Sequence, residues 1–159
     1  MSLRIGFGFD VHQLKEKRAF WLGGIRLKHT KGASGHSDAD VLIHALCDAL
    51  LGAANLGDIG SHFPDTSPEF KNIDSKKLLK RVLDLIADEG YSIVNIDSTV
   101  SLEKPKIKAA VPAMKKVLSA VMSISENQLS IKAGTNEKMG YVGREEGVCA
   151  YAVVLIEKK

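Results

Sequence analysis

Sulfur, proline and aromatic side chains are all scarce in this chain. Its 159 residues include two cysteines, four prolines and one tryptophan, and aromatics make up 6% of the total. Cys47 and Cys149 sit far apart inside apolar segments with no CxxC spacing. A disulfide scaffold and a cysteine-built zinc knuckle are therefore excluded, and both thiols are expected to be buried and reduced. A chain of this size buries roughly 68–70% of its unfolded surface, so no staple is needed. Charge of one sign is lacking too. The formal net charge is +3, which speaks against a basic nucleic-acid-binding arm yet suits an anionic small molecule. The longest apolar run, Val148 to Ile156, is far shorter than the ~20 residues of a membrane-spanning helix. Met1-Ser2-Leu3-Arg4 has no apolar signal core. A soluble cytoplasmic protein without membrane or nucleic-acid partners is expected.

From Arg4 to His12 the residues alternate. Ile5, Phe7, Phe9 and Val11 are apolar, while Arg4, Gly6, Gly8, Asp10 and His12 are polar or glycine. Period two predicts a strand whose apolar side is buried. Phe20-Trp21-Leu22 and Ile25-Arg26-Leu27, interrupted by Gly23-Gly24, read as a hairpin or bent strand. Ser37-Asp38-Ala39-Asp40 resembles an acidic capping box opening a helix that carries Leu42, Ala45, Leu46, Ala49, Leu50 and Ala53 and stops near Asn55 to Gly57. The segment from Gly57 to Asn72, broken by Gly60, Pro64 and Pro68, reads as a long loop, a length that is often functional.

Asp74 is a fitting N-cap for a helix bearing Leu78, Leu79, Val82, Leu85 and Ile86, with Gly90 at its end. Ile93 to Leu102 is rich in β-branched residues and predicts a strand. Val111, Met114, Val117, Leu118, Val121 and Met122 form a helical stripe behind Pro105 and Pro112. Leu129 to Ala133 and Val148 to Ile156 complete the strands, the last apolar on both faces and expected to be covered on both. The order β-β-α-α-β-α-β-β, without linker or repeat, predicts one α+β domain over residues 1–159: a mixed sheet with helices packed on one face. Its other face carries surplus apolar surface, which implies self-association.

Asp10 and His12, two apart on a strand, project to one side with Cα atoms roughly 6–7 Å apart. Gly6 and Gly8 beside them suggest an opening there. His44 stands on the helix face away from Leu42, Leu46 and Leu50, with Asp40 and Asp48 one turn to either side. Asp10, His12 and His44 together would leave one position open on a tetrahedral ion, as at a catalytic zinc, and Asp48 or Asp40 would then be the partner of an imidazole N–H. His36 and Ser37 fall at the predicted helix N-terminus, where backbone N–H groups favour phosphate. Gly134-Thr135-Asn136-Glu137-Lys138 and Gly140-Tyr141-Val142-Gly143-Arg144 are polar turns after a strand.

Four stretches, taken in order, resemble the 2-C-methyl-D-erythritol 2,4-cyclodiphosphate synthase family. They are Arg4 to His12, Gly35-His36-Ser37-Asp38-Ala39-Asp40 running on to Ala54, Gly57-Asp58-Ile59-Gly60 with Phe63-Pro64-Asp65-Thr66, and Thr135-Asn136-Glu137-Lys138 with Gly143-Arg144-Glu145-Glu146-Gly147. The resemblance implies an enzyme of non-mevalonate isoprenoid biosynthesis, a phosphorus–oxygen lyase. It would convert 4-diphosphocytidyl-2-C-methyl-D-erythritol 2-phosphate to a cyclic diphosphate and CMP.

Residue by residue, the resemblance implies zinc on Asp10, His12 and His44, one ion per chain, and Mg2+ or Mn2+ on Glu137 bridging the substrate diphosphate. It implies transition-state contacts from His36 and Thr135 and a mobile loop of Asp58, Ile59, Gly60, Phe63, Pro64, Asp65, Thr66 and Ser67 around the methylerythritol phosphate. Leu102, Glu103, Lys104, Pro105, Lys106, Ile107 and Lys108 would lie with Gly134, Thr135, Asn136 and Glu137 around the cytidine and diphosphate. Glu103 and Lys104 depart from the smaller or neutral residues expected there, so contacts through backbone amides are expected instead. The implied assembly is a homotrimer with active sites between subunits, its open sheet face buried and Phe7, Phe9, Tyr141, Arg144 and Glu146 around a central cavity. Two other functions use the same residues: a zinc phosphodiesterase with a bound water as nucleophile, and a trimeric metal-binding module without catalysis.

Overall fold

A computed structural model describes residues 2–158. The first strand, β1 (Leu3–Glu16), is followed by a small hairpin of β2 (Phe20–Leu22) and β3 (Ile25–Leu27) and by an edge strand, β4 (Lys31–Ser34). Helix α1 (Val41–Ala54), a single turn α2 (Ile59–His62) and helix α3 (Ser75–Asp88) precede β5 (Tyr91–Ser101). Helix α4 (Val111–Met122), β6 (Leu129–Gly134), a short turn α5 (Gly140–Gly143) and β7 (Gly147–Lys158) complete the chain. The main sheet runs β4-β1-β7-β5-β6; β5 and β6 are parallel and the other pairs antiparallel. The expected mixed α+β architecture is therefore present around one core, in which Leu46, Leu50, Leu79, Ile96, Met114, Leu118 and Val154 are all buried.

The orientation of β1 is opposite to the one its hydrophobicity predicts. Ile5, Phe7, Phe9 and Val11 are exposed, Ile5 by 73% and Phe7 by 62%, while Gly6 and Gly8 are buried against α1. A β-carbon on Gly6 would come within 1.8 Å of the Ala49 carbonyl oxygen. The glycines thus make no opening beside Asp10; they let a helix lie directly on the strand. Helix α1 matches them with Ala45, Ala49 and Ala53, and its remaining surface is buried apart from His44, Asp48 and Gly52, which sit one turn apart. Strand β7 is likewise covered on one face only, with Tyr151 and Val153 on the same open side as Phe7 and Phe9. Alternation locates the two faces of a strand, but glycine decides which one a helix can reach.

Helix α1 also begins later than the capping box predicts. Asp40, not Ser37, is its N-cap and accepts from the Ile43 amide at 3.1 Å. The same carboxylate accepts from the amides of Gly23 and Gly24, whose positive φ angles close the β2–β3 turn. Asp40 therefore ties hairpin to helix, a link no local pattern reveals. The long loop contains α2 and a single 3-10 turn, Pro68–Phe70; strand β4 and turn α5 are too short for periodicity to expose. No helix of the described residues is long and apolar enough to cross a membrane.

Candidate metal centre

Strand β1 and helix α1 cross where their glycine and alanine faces meet, and this crossing brings Asp10, His12 and His44 together. Asp10 Oδ2 lies 2.9 Å from His12 Nε2 and 3.0 Å from His44 Nδ1, and the two imidazole nitrogens are 3.0 Å apart. A tetrahedral zinc with bonds of about 2.0–2.1 Å sets its ligand atoms about 3.3–3.4 Å apart. The triangle of one oxygen and two nitrogens is thus nearly the right size for three corners of that coordination shell. One carboxylate and two neutral imidazoles also suit a borderline divalent ion.

The triangle is strongly coupled in charge. Burial pushes the Asp10 carboxyl up, but the hydrogen bonds and charges of His12 and His44 outweigh it and hold the group well below the usual carboxylate range. Burial acts to lower the basicity of His44, and the Asp10 carboxylate overcomes it, so the imidazole binds its proton more tightly than usual. A cation at this position would replace that proton.

Asp10, His12 and His44 open on a cavity of about 570 Å³ that is also lined by Gly35, His36, Ser37, Ile59, Gly60, Phe63, Pro64, Asp65, Thr66, Phe70 and Leu78. Most of the predicted loop is therefore beside the predicted ligands. Asp58 caps α2 through the Ser61 amide, and Asp48 accepts from the Ile59 amide at 2.7 Å, fastening that loop to α1. His36 lines the cavity while its Nε2–H donates to the Ser67 carbonyl at 2.9 Å, so it braces the loop and is not at a helix N-terminus. Cys47 lies behind the site, and burial pushes its thiol well above the ordinary range, which leaves it unreactive.

The partner of His44 is not the one expected. Neither Asp40 nor Asp48 reaches its Nε2, which lies 2.9 Å from Ser75 Oγ and 3.1 Å from Ser37 Oγ. Ser75 is the first residue of α3, and its hydroxyl donates to Asp38. No local pattern links Asp38 or Ser75 to His44, because the Asp38–Ser75 contact joins positions 37 residues apart.

The other predicted site residues form a separate group. Leu102, Pro105, Lys106, Ile107, Lys108, Gly134 and Thr135 line a cleft of about 170 Å³ together with Ala133. Glu103 accepts from the Asn136 amide at 3.2 Å and the Leu102 amide donates to Gly134, which gives the unexpected glutamate a role in shaping the turn. Lys104 pairs with Glu145. Thr135 Oγ1 lies 3.5 Å from Glu137 Oε1. Asp10, Ala150, Val100 and Ala133 occupy one row across the sheet, so three strand spacings, about 14 Å, separate the metal triangle from the strand leading to Thr135 and Glu137. Tyr141, and Arg144 in its paired contact with Glu146, are outside both linings.

An α+β domain with an Asp/His/His triangle on a largely apolar cavity defines a class: a metal-competent enzyme scaffold. Residues 3–157 match the YgbB family, and the chain belongs to it. It is 63% identical over 158 residues, 99% of both chains, to 2-C-methyl-D-erythritol 2,4-cyclodiphosphate synthase of Bacteroides thetaiotaomicron. Among solved structures it is similar to a 2C-methyl-D-erythritol-2,4-cyclodiphosphate synthase in its CDP-bound form, with TM-score 0.90, 35% identity and coverage of 97% of this chain and 100% of that one. The bifunctional IspDF of Campylobacter jejuni superposes with TM-score 0.96 at 40% identity over 99% of this chain, which spans 43% of that longer protein.

Proposed function

We propose that the chain, as a single catalytic domain over residues 1–159, cyclises 4-diphosphocytidyl-2-C-methyl-D-erythritol 2-phosphate in isoprenoid biosynthesis, as a cytoplasmic phosphorus–oxygen lyase. An oxygen of the 2-phosphate attacks the β-phosphorus, a new P–O bond closes the ring, and the bond from the β-phosphorus to the bridging oxygen breaks as CMP departs. The observation that carries this reading is the Asp10, His12 and His44 triangle at the mouth of a cavity walled by the loop from Ile59 to Thr66.

Asp10, His12 and His44 would hold zinc, which, when bound, supplies Lewis-acid charge neutralisation to a phosphate oxygen. The substrate brings its own nucleophile, largely anionic near neutral pH because the second phosphate pKa is about 6. The protein's task is then positioning and charge complementarity. His36 would stabilise the transition state and Ser37 would border the substrate, with Asp58, Ile59, Gly60, Phe63, Pro64, Asp65, Thr66 and Ser67 enclosing the methylerythritol phosphate. Leu102, Glu103, Lys104, Pro105, Lys106, Ile107, Lys108, Gly134 and Asn136 would receive the cytidine and diphosphate, with Thr135 as donor and Glu137 holding Mg2+ or Mn2+.

The two groups serve one reaction if a second copy supplies the missing half. A homotrimer with sites between subunits accounts for the separation across the sheet. It also accounts for the open apolar face of Ile5, Phe7, Phe9, Val11, Tyr151 and Val153. Tyr141 and Arg144 would then border the central cavity.

Phosphorus NMR of the reaction with the diphosphocytidyl substrate tests the proposal. Cyclic diphosphate and CMP are expected. A linear phosphate product would make the protein a phosphodiesterase, and no turnover with zinc and Mg2+ present would leave a binding module.

A further inference from the structure

We infer that Asp38, acting through Ser75, is a positioning residue that fixes the tautomer of His44 and thereby sets metal affinity. The inference rests on the metal reading of the Asp10, His12 and His44 triangle. His44 presents Nδ1 to that triangle, so a ligated His44 must carry its proton on Nε2. Nε2–H therefore needs an acceptor, and a hydroxyl is ambiguous because it can donate as well as accept. Asp38 removes the ambiguity. Its Oδ1 takes the single Ser75 hydroxyl proton, which turns the lone pairs of Ser75 Oγ towards Nε2 at 2.9 Å.

The carboxylate is itself anchored. Asp38 Oδ2 accepts from the Ser75 amide at 3.1 Å, and Oδ1 accepts from the Asp40 amide. Ser75 is fully buried, so water does not compete for its hydroxyl. Ser37 Oγ, 3.1 Å from Nε2, accepts from the Ala39 amide and offers a weaker second acceptor. The chain Nε2–H to Ser75 to Asp38 thus joins the N-terminus of α3 and the segment before α1 to the metal triangle.

The test uses the full chain and zinc alone, with affinity measured by chelator competition and the His44 Nε2–H followed by 15N-edited NMR of the zinc-loaded protein. The parent should bind one zinc and show a slowly exchanging Nε2 proton. Asp38→Ala should bind zinc 10- to 100-fold more weakly, the range for loss of a partner behind a metal-bound imidazole. Its Nε2 proton should exchange faster. Asp38→Asn, which can still offer a carbonyl oxygen to Ser75, should recover part of the affinity. Should Asp38→Ala not fold, Ser75→Ala carries the same expectation.

A merely structural role would lower thermal stability and leave zinc affinity and Nε2 exchange at parental values. Affinity within threefold of the parent in the folded variants overturns the inference. Absence of zinc binding by the parent overturns instead the metal reading beneath it.

Discussion

Gly8 and Ala45 approach so closely that a β-carbon on the glycine would stand 1.9 Å from the Ala45 carbonyl oxygen. Because the obstacle is helix backbone, it cannot rotate away as a side chain could. Gly8→Ala must push α1 off β1 and with it displace His44 from Asp10. We expect a loss of about 3 kcal/mol or more, at the upper end for overpacking, measured by urea unfolding. Stability within ~0.5 kcal/mol of the parent, the range of ordinary surface substitutions, would show that the helix does not rest on the strand.

Asp40 offers a second test of how the site is built. Its carboxylate serves three backbone amides, those of Gly23, Gly24 and Ile43. Asp40→Ala removes a helix cap and strands buried donors, for an expected cost of about 2–5 kcal/mol. Asp40→Asn should recover only part of that, since one of its two amide positions must face a backbone N–H. Equal stability of the two variants would assign the effect to charge instead of hydrogen bonding.

The pH dependence of the metal-free triangle has a definite sign. Asp10 titrates below its unfolded value, so its stabilisation is complete above about pH 4 and fades as pH falls further. His44 titrates above its unfolded value; its stabilisation is complete below about pH 6.5 and is lost as pH rises through the raised folded value. Together they favour the metal-free protein most between about pH 4 and 6.5. Zinc needs the deprotonated imidazole, so its binding releases a proton and strengthens as pH rises. The increase in melting temperature on adding zinc should grow from about pH 5 to 6.5, a range below the raised folded value of His44, where zinc must displace its proton. An increment that stays flat over that range would mean that no proton is exchanged for the metal.

Separation of the two halves of the proposed site predicts complementation. Asp10→Ala and Glu137→Ala chains, each inactive alone, should regain part of the parental turnover after subunit exchange, because a mixed trimer contains some sites with both residues intact. No recovery after exchange has been verified by mass spectrometry would place both residues in one subunit's site.

His36 separates positioning from acid–base chemistry. His36→Gln keeps a donor for the loop or for phosphate, and should retain more activity than His36→Ala, for which a loss on the order of 10²–10³ in kcat is expected by analogy with an oxyanion-hole donor. Both should keep a rise in rate between about pH 5.5 and 7, where the substrate phosphate ionises. Equal damage from the two, with loss of that rise, would make the imidazole a general base.

Periodicity was enough to locate the helix carrying Leu42 to Ala53, though not its start at Asp40, and with turn chemistry the helix after Asp74, the helix behind Pro112 and the strands they pack on, since each is written in residues adjacent in sequence. Asp10, His12 and His44 were legible as candidates because ligand-type residues stand at strand and helix spacing on polar faces. Which face of β1 is buried was not legible. The phenylalanines argue for one side on hydrophobicity alone, whereas the close approach of Ala45 and Ala49 to Gly8 and Gly6 requires the other. Nor was the support of His44 legible: its spacing points to Asp40 or Asp48, one turn to either side, and neither reaches its Nε2. Only the arrival of Ser75 from the start of α3 decides the matter, because a hydrogen bond is set by distance and direction in space, and residues 37 apart acquire those only when the helices pack.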